Sequence, residues 1–303
     1  MKFELKNSYN QPITLSNHTQ IELHVKREDA IHQFVSGNKY RKLKYNLEEA
    51  KRLNQRTLLT FGGAFSNHIA ATAVAGRNLG FKTIGVIRGE ELFNQVESNP
   101  TLRFAKQCGM QFKFETRKIY KQKSSKQYLN KLKDEFGDFY LIPEGGTNAF
   151  AIKGCEEILT EIDKSFDFIC CSVGTGGTIS GLINCSKPSQ QVLGFPALKG
   201  DFLKQDISKF VNQSNWELIS DYDFGGYAKI NKELISFINE FKTEYKISLD
   251  PVYTGKMMYG IFNLLENNYF PKGAKILAIH TGGLQGIEGM NAVLRKKNLP
   301  KIE

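Results

Sequence analysis

This sequence lacks the cysteine pattern of a disulfide-stapled or zinc-bound protein. Its five cysteines, Cys108, Cys155, Cys170, Cys171 and Cys185, are odd in number and form no Cys-x-x-Cys pair, which excludes either framework as an organising principle. Cys170 and Cys171 fall inside an apolar strand pattern, where free cysteine acts as a small hydrophobe. No apolar run approaches the roughly 20 residues of a membrane span. The opening Met1-Lys2-Phe3-Glu4-Leu5-Lys6-Asn7 carries no apolar signal-peptide core. The expectation is a soluble cytoplasmic protein with no membrane partner.

A concentrated basic patch is missing too. The formal net charge is +10, but the cations are dispersed and interleaved with acids, as where Lys51-Arg52 follows Glu48-Glu49. Such an excess attracts small anions and favours solubility rather than nucleic acid. Two nucleotide-binding signatures are also absent. No Gly-Lys-Ser/Thr of a Walker loop occurs. The loop Gly174-Thr175-Gly176-Gly177-Thr178 has Ile179 where a dinucleotide fingerprint needs its third glycine, and the next strand ends in Phe195-Pro196 without an acid.

What is present is an alternation of short apolar runs and helical patterns. Strands are expected at 57–61, 83–87, 110–114, 139–142, 168–173, 191–195, 216–220 and 275–280. Helices are expected at 67–79, 100–107, 128–136, 149–164, 178–184, 230–245, 256–267 and 287–295. Repeated β-α-β order implies parallel sheets flanked by helices. There are too many strands for one open sheet, so the fold class expected is α/β with two domains. In such sheets ligands bind beyond the carboxyl ends of strands. Four Gly-rich turns fall there, at 62–68, 144–148, 174–178 and 281–283. Any one of them could be a plain tight turn; four together imply close backbone approach to a ligand.

The loop Gly174, Thr175, Gly176, Gly177, Thr178 joins a strand to a helix, so its N–H groups and the helix N-terminus suit a phosphate. Lys39 follows Ser36-Gly37-Asn38 at the start of an amphipathic helix. A cation there opposes the helix dipole, so the site does not serve stability. Positive surroundings instead disfavour its charged form, which a Schiff-base lysine needs. A positioned lysine plus a phosphate cradle is the minimum equipment of a pyridoxal 5'-phosphate (PLP) enzyme.

Six segments carry a family resemblance: Lys-Arg-Glu-Asp (26–29), Ser-Gly-Asn-Lys-x-Arg-Lys-Leu (36–43), Gly-Gly-x-x-Ser-Asn-His (62–68), Pro-Glu-Gly-Gly-Thr-Asn (143–148), Asp-Pro-Val-Tyr (250–253) and His-Thr-Gly-Gly (280–283). In this order, and over nearly the whole chain, they resemble the 1-aminocyclopropane-1-carboxylate deaminase / D-cysteine desulfhydrase family. The resemblance implies the tryptophan-synthase-β-like fold (fold type II) with PLP in the interdomain cleft. Residues 1–44 plus 151–303 would form the large domain and 45–150 the small one, in a homodimer. It also implies roles. Lys39 would hold PLP and act as acid/base at Cα. Asn67 would bond the phenolic oxygen, and Ser66 would lie beside the substrate carboxylate or Cα. The loop 174–178, with Lys42, would bind the phosphate. Tyr253 would stand over a small amino-acid substrate as a second acid/base or orienting group, and His68 would line its site.

Two positions separate the activities by resemblance. Deaminases typically carry Glu after Asp-Pro-Val-Tyr and Leu after the strand-end His; here they are Thr254 and Thr281. His68 also matches the desulfhydrase pattern, where deaminases tend to carry Gln. A carboxylate on the pyridine nitrogen strengthens the electron sink that cyclopropane opening demands; a hydroxyl from Thr254 or Thr281 leaves a weaker sink, sufficient when a leaving group sits at Cβ. The expectation is β-elimination from D-cysteine to pyruvate, ammonia and sulfide. Cyclopropane deamination, another PLP lyase, dehydratase or racemase, and a non-catalytic small-ligand-binding α/β protein stay open.

Overall fold

A computed structural model describes residues 5–16, 20–35, 37–200 and 202–303. Residues 1–4 of the opening stretch and Ser36 of the turn before Lys39 lie outside the described residues. The strands are β1 (Asn10–Ile13), β2 (Glu22–Lys26), β3 (Thr57–Gly62), β4 (Lys82–Arg88), β5 (Gln111–Glu115), β6 (Tyr140–Ile142), β7 (Phe168–Val173), β8 (Gln191–Pro196), β9 (Trp216–Leu218) and β10 (Lys275–Ile279). The helices are α1 (Asn38–Arg52), α2 (Asn67–Leu79), α3 (Pro100–Gln107), α4 (Arg117–Tyr120), α5 (Lys126–Phe136), α6 (Ala149–Glu156), α7 (Gly177–Cys185), α8 (Phe202–Ser208), α9 (Lys232–Tyr245), α10 (Thr254–Glu266) and α11 (Gly286–Lys296). The expected α/β architecture of parallel sheets flanked by helices is what forms.

One sheet runs β1-β2-β10-β7-β8-β9 and the other β5-β4-β3-β6. Every pairing is parallel except β1 with β2. All strands of the smaller sheet come from residues 45–150 and all strands of the larger from outside them. Parallel strands covered on both faces read as continuous apolar runs. In β7, Ile169, Cys171 and Val173 enter one core with Ile179 and Leu182 of α7. Cys170 enters the opposite core with Ile238 of α9 and Met257 of α10. Each fully buried side chain of this size contributes about 1.5–3 kcal/mol. In the smaller sheet Leu58 and Leu59 likewise face different cores. No helix of the described residues is long and apolar enough to cross a membrane.

Strand order reverses at β3 in one sheet and at β7 in the other, the places where α/β sheets open a crevice. The turns 62–68 and 174–178 leave those two strands. Helix α2 is held there by local chemistry: Ser66 Oγ accepts from the Ile69 N–H, and Gly80 closes the far end in the left-handed region at φ 76°.

Three expectations need correction. The helix expected at 149–164 stops at Glu156, and a separate 3₁₀ turn covers Glu161–Ser165. Asp163 breaks it: its carboxylate accepts from the Thr160 N–H and hydroxyl and pairs with the buried Lys26 ammonium at 2.7 Å. The strand expected at 216–220 is confined to Trp216–Leu218. The edge strand β1, its neighbour β2 and the short α4 and α8 had no counterpart among the expected elements.

Candidate active site

Helix α1 starts where it does because Gly37 permits it. Gly37 has φ 55°, and a β-carbon there would stand 2.1 Å from the Thr281 carbonyl oxygen. The start of α1 therefore lies directly on the turn after β10. Its N–H donates to the Glu28 carbonyl at 2.8 Å. Four residues on, Arg41 Nε and Nη2 each donate to the buried Glu28 carboxylate at 2.8 Å. A bidentate pair of this kind fixes orientation as well as position.

Lys39, on the first turn, donates from Nζ to Asn38 Oδ1 at 2.7 Å, and Asn38 Nδ2 donates to Thr178 Oγ1 at 2.9 Å. The lysine is thereby tied to the glycine loop through a contact, Asn38 to Thr178, that spans 140 residues of sequence. Burial of the amine, followed by repulsion from Lys42, brings its pKa down to about 7. The sequence argument rested on the helix terminus; the larger cause is desolvation. A depressed lysine pKa leaves the free base dominant above pH 7 and the ammonium dominant below it. Covalent capture of PLP by the cofactor-free protein should therefore be flat above pH 7 and slow by about tenfold per unit below it, followed through growth of the visible absorbance band.

The loop at the carboxyl end of β7 opens onto α7. Gly176 is the N-cap at φ 82°, and no side chain caps the helix, so its first N–H groups face outward with the helix dipole behind them. Thr175 Oγ1 and Thr147 Oγ1 are 2.6 Å apart. Lys42 is 3% exposed and has no carboxylate partner among the described residues. Its Nζ donates only to the Gly145 carbonyl at 3.1 Å and Thr147 Oγ1 at 3.3 Å. A buried ammonium without a counter-charge is costly, and burial lowers its pKa. Open N–H groups, hydroxyls and an uncompensated cation together fit a phosphate.

Across from this cradle, Asn67 and Asp250 converge on Gly283. A β-carbon on Gly283 would sit 2.6 Å from Asn67 Nδ2 and 3.7 Å from Asp250 Cγ. Asp250, 1% exposed, accepts from the N–H groups of Val252, Tyr253 and Thr254, each at 2.9 Å, and from Thr254 Oγ1 at 2.7 Å. Thr254 Oγ1 in turn accepts from the Asp250 N–H, so the Thr254 hydroxyl is committed to Asp250. Thr281 Oγ1 has a lighter engagement, 3.3 Å from Ser172 Oγ. Tyr253 packs edge-on against Tyr227 with ring centroids 6.2 Å apart. Its ring also stands beside Gly174, where a β-carbon would meet it at 3.1 Å. Burial, then Tyr227 and Asp250, holds the Tyr253 phenol well above its usual pKa, so it is a proton donor at neutral pH.

The structure thus brings Lys39, Lys42 and the loop 174–178 to one cluster, and Asn67, Tyr253 and Gly283 to a cavity of about 580 Å³ beside it. Ser66 caps α2 at its edge. His68 is 2% exposed and is not among the cavity-lining residues. Its Nε2 lies 2.9 Å from Thr60 Oγ1 and its Nδ1 has no hydrogen-bond partner. Burial, reinforced by Lys39 and Lys42, keeps it neutral.

Three residues escaped the sequence reading. Tyr227 sits on a loop whose Phe224, Gly225, Gly226 and Ala228 all have positive φ; the pair Gly225-Gly226 was the available signal. Lys256, 2% exposed, donates to the Asp223 carbonyl at 2.6 Å and the Gly226 carbonyl at 2.8 Å, clasping that loop to α10. Asp250 lay inside a quoted motif without a role.

Residues 9–282 match the family model described as pyridoxal-phosphate dependent enzyme. A Pyrococcus horikoshii protein, whose name assigns it provisionally to 1-aminocyclopropane-1-carboxylate deamination, is 33% identical over 296 residues, 90% of this chain and 87% of its own. The Arabidopsis thaliana mitochondrial bifunctional D-cysteine desulfhydrase/1-aminocyclopropane-1-carboxylate deaminase is 31% identical over 88% of this chain and 73% of its own. A crystal structure of an ACC deaminase homologue superposes with TM-score 0.78 at 28% identity, covering 95% of this chain and 94% of that one. The chain belongs to the PLP-dependent enzymes, within the 1-aminocyclopropane-1-carboxylate deaminase / D-cysteine desulfhydrase family.

Proposed function

We propose that the protein catalyses β-elimination from a small amino acid, D-cysteine above all, giving pyruvate, ammonia and sulfide. One observation carries the choice within the family: hydroxyls occupy both discriminating positions, and Asp250, the carboxylate bonded to Thr254, is already saturated by four donors. Of the two threonines we assign Thr281, backed by Ser172, to the pyridine nitrogen, because the hydroxyl of Thr254 is spent on Asp250. Bound PLP supplies the electron sink for charge developing at Cα.

The chain's own groups do the rest. Lys42 and the N–H groups of α7 hold the phosphate, and Lys39, a free base above about pH 7, takes the α-proton. The start of α2, at Ser66 and Asn67, offers its N–H groups to the substrate carboxylate. Tyr253 holds a proton that it can give to the leaving group. The substrate enters between residues 45–150 on one side and 1–44 with 151–303 on the other.

The sulfide and pyruvate released by purified holoenzyme, assayed against D- and L-cysteine, D- and L-serine, β-chloro-D-alanine and 1-aminocyclopropane-1-carboxylate, test this reading. D-Cysteine should be the best substrate; turnover confined to the cyclopropane would overturn it. Lys256 gives a second check. If it acts by holding Tyr227 over Tyr253, Lys256→Met should lower kcat by about 10- to 100-fold. Combining it with Tyr227→Phe should add little, since the two changes strike one unit.

A further inference from the structure

Several parts of the site lean on the turn after β10. A β-carbon on Gly37, beside Lys39, would stand 2.1 Å from the Thr281 carbonyl oxygen, and one on Gly283 would stand 2.6 Å from Asn67 Nδ2 and 3.7 Å from Asp250 Cγ. Within that turn Gly282 and Gly283 follow each other at φ 79° and 97°. Glycine has the widest backbone freedom of any residue, so two in succession need an outside bond to hold one conformation. Among the described residues no backbone carbonyl accepts from the Gly282 N–H. Its acceptor is a side chain, His280 Nδ1, at 3.2 Å.

The two ring nitrogens of this buried histidine have different partners. Nε2 lies 2.7 Å from the Ser248 carbonyl oxygen. A carbonyl only accepts, so Nε2 carries the ring proton; Nδ1 accepts from Gly282, so it carries none. The two bonds together set the tautomer. The Asp29 carboxylate stands 3.6 Å from Nδ1 but is held by Arg27 in two bonds of 2.9 and 2.8 Å, and it does not displace Gly282. Ser248 is two residues ahead of Asp250, whose carboxylate accepts from the Tyr253 and Thr254 N–H groups. One ring therefore braces the turn that carries Thr281 against the turn that carries Tyr253.

We infer that His280 is a positioning residue: as its Nε2–H tautomer it holds the Thr281 hydroxyl and the Tyr253 phenol in fixed relation across the site. The inference rests on the elimination reading above, which assigns Thr281 to the pyridine nitrogen and Tyr253 to the leaving group. The imidazole itself makes and breaks no bond of the substrate. Its two hydrogen bonds can be removed separately. His280→Asn keeps an acceptor for the N–H two residues on but falls short of Ser248. His280→Gln keeps an N–H donor at about the reach of Nε2 but leaves Gly282 unbonded. His280→Leu fills the space and makes neither bond.

The test measures four quantities on the full-length holoenzyme of each variant: the position of the visible absorbance band of bound PLP, kcat and KM for D-cysteine, and Tm. His280→Asn should leave the band in place, because the Thr281 turn stays bonded, and lose about tenfold in kcat with KM little changed, because Tyr253 is less well placed. His280→Gln should shift the band, because Thr281 loses its support. His280→Leu should shift the band and lower kcat by about 100-fold. A histidine that only stabilises the fold would lower Tm in all three variants and leave the band and kcat unmoved; that result overturns the inference. If His280→Leu does not fold, the other two variants still separate the bonds. The unaltered holoenzyme supplies a measurement that needs no variant: nitrogen-resolved NMR of the labelled imidazole should place the His280 proton on Nε2 and none on Nδ1, and the opposite tautomer overturns the inference. A shifted band in His280→Gln of an enzyme that opens the cyclopropane and releases no sulfide would support the role of His280 and overturn the elimination reading.

Discussion

Lys39→Ala should abolish turnover, with a loss of at least about 10⁴-fold in kcat, while the protein stays folded. Two contributions vanish together: the covalent attachment point for PLP and the base that takes the α-proton. General acid–base catalysis alone contributes about 10²–10⁴-fold. The fold should survive because a buried amine whose pKa is already depressed to about 7 contributes no favourable charge to it. Steady-state pyruvate release and far-UV circular dichroism on one preparation separate the two. Full turnover in the variant would remove Lys39 from the mechanism. A variant that binds PLP reversibly yet remains inactive is the expected outcome, since Lys42 and the loop 174–178 are untouched.

Gly37→Ala should be nearly as damaging by a different route. The added methyl would meet the Thr281 carbonyl oxygen at 2.1 Å and its carbon at 2.4 Å, and the backbone there has φ 55°. Neither atom is the end of a flexible side chain, so α1 must move away from the turn after β10. Strain of this kind costs about 1–3 kcal/mol, as does a non-glycine residue held at positive φ. Displacing Lys39 relative to Thr281 by about 1 Å would lower kcat by roughly 10²-fold. Thermal unfolding and kcat should therefore both fall. A variant with unchanged Tm and kcat would show that the start of α1 is not pinned against Thr281.

How much of this was legible beforehand follows from where the information lies. The strands that end in glycine turns were readable because buried parallel strands are apolar throughout and their turns need glycine. β1 was not, because Asn10, Gln11 and Pro12 carry no strand pattern at a sheet edge. β2 ends in Lys26, whose burial makes sense only through Asp163, 137 residues away. That same long-range pair explains the misread helix after Ala149: Asp163 was taken as part of a helical run, whereas it caps Thr160 and neutralises Lys26.

The site divides similarly. The cluster of Lys39, Lys42 and the glycine loop was readable from turn chemistry and ordered motifs. The distinction between Thr254 and Thr281 was not, because it depends on which hydroxyl Asp250 consumes. A local signal existed all the same: an aspartate directly ahead of a helix start commonly accepts from the N–H groups two and three residues on, as Asp250 does with Val252 and Tyr253.

The central claim is elimination at a site with hydroxyls, not a carboxylate, available to the pyridine nitrogen. It is tested most directly by presenting one holoenzyme preparation with D-cysteine and 1-aminocyclopropane-1-carboxylate at equal concentration and measuring sulfide, pyruvate and the four-carbon 2-oxo acid together. The account predicts sulfide and pyruvate in equal amounts with the four-carbon acid near background. Dominant release of the four-carbon acid, with little or no sulfide, would contradict it.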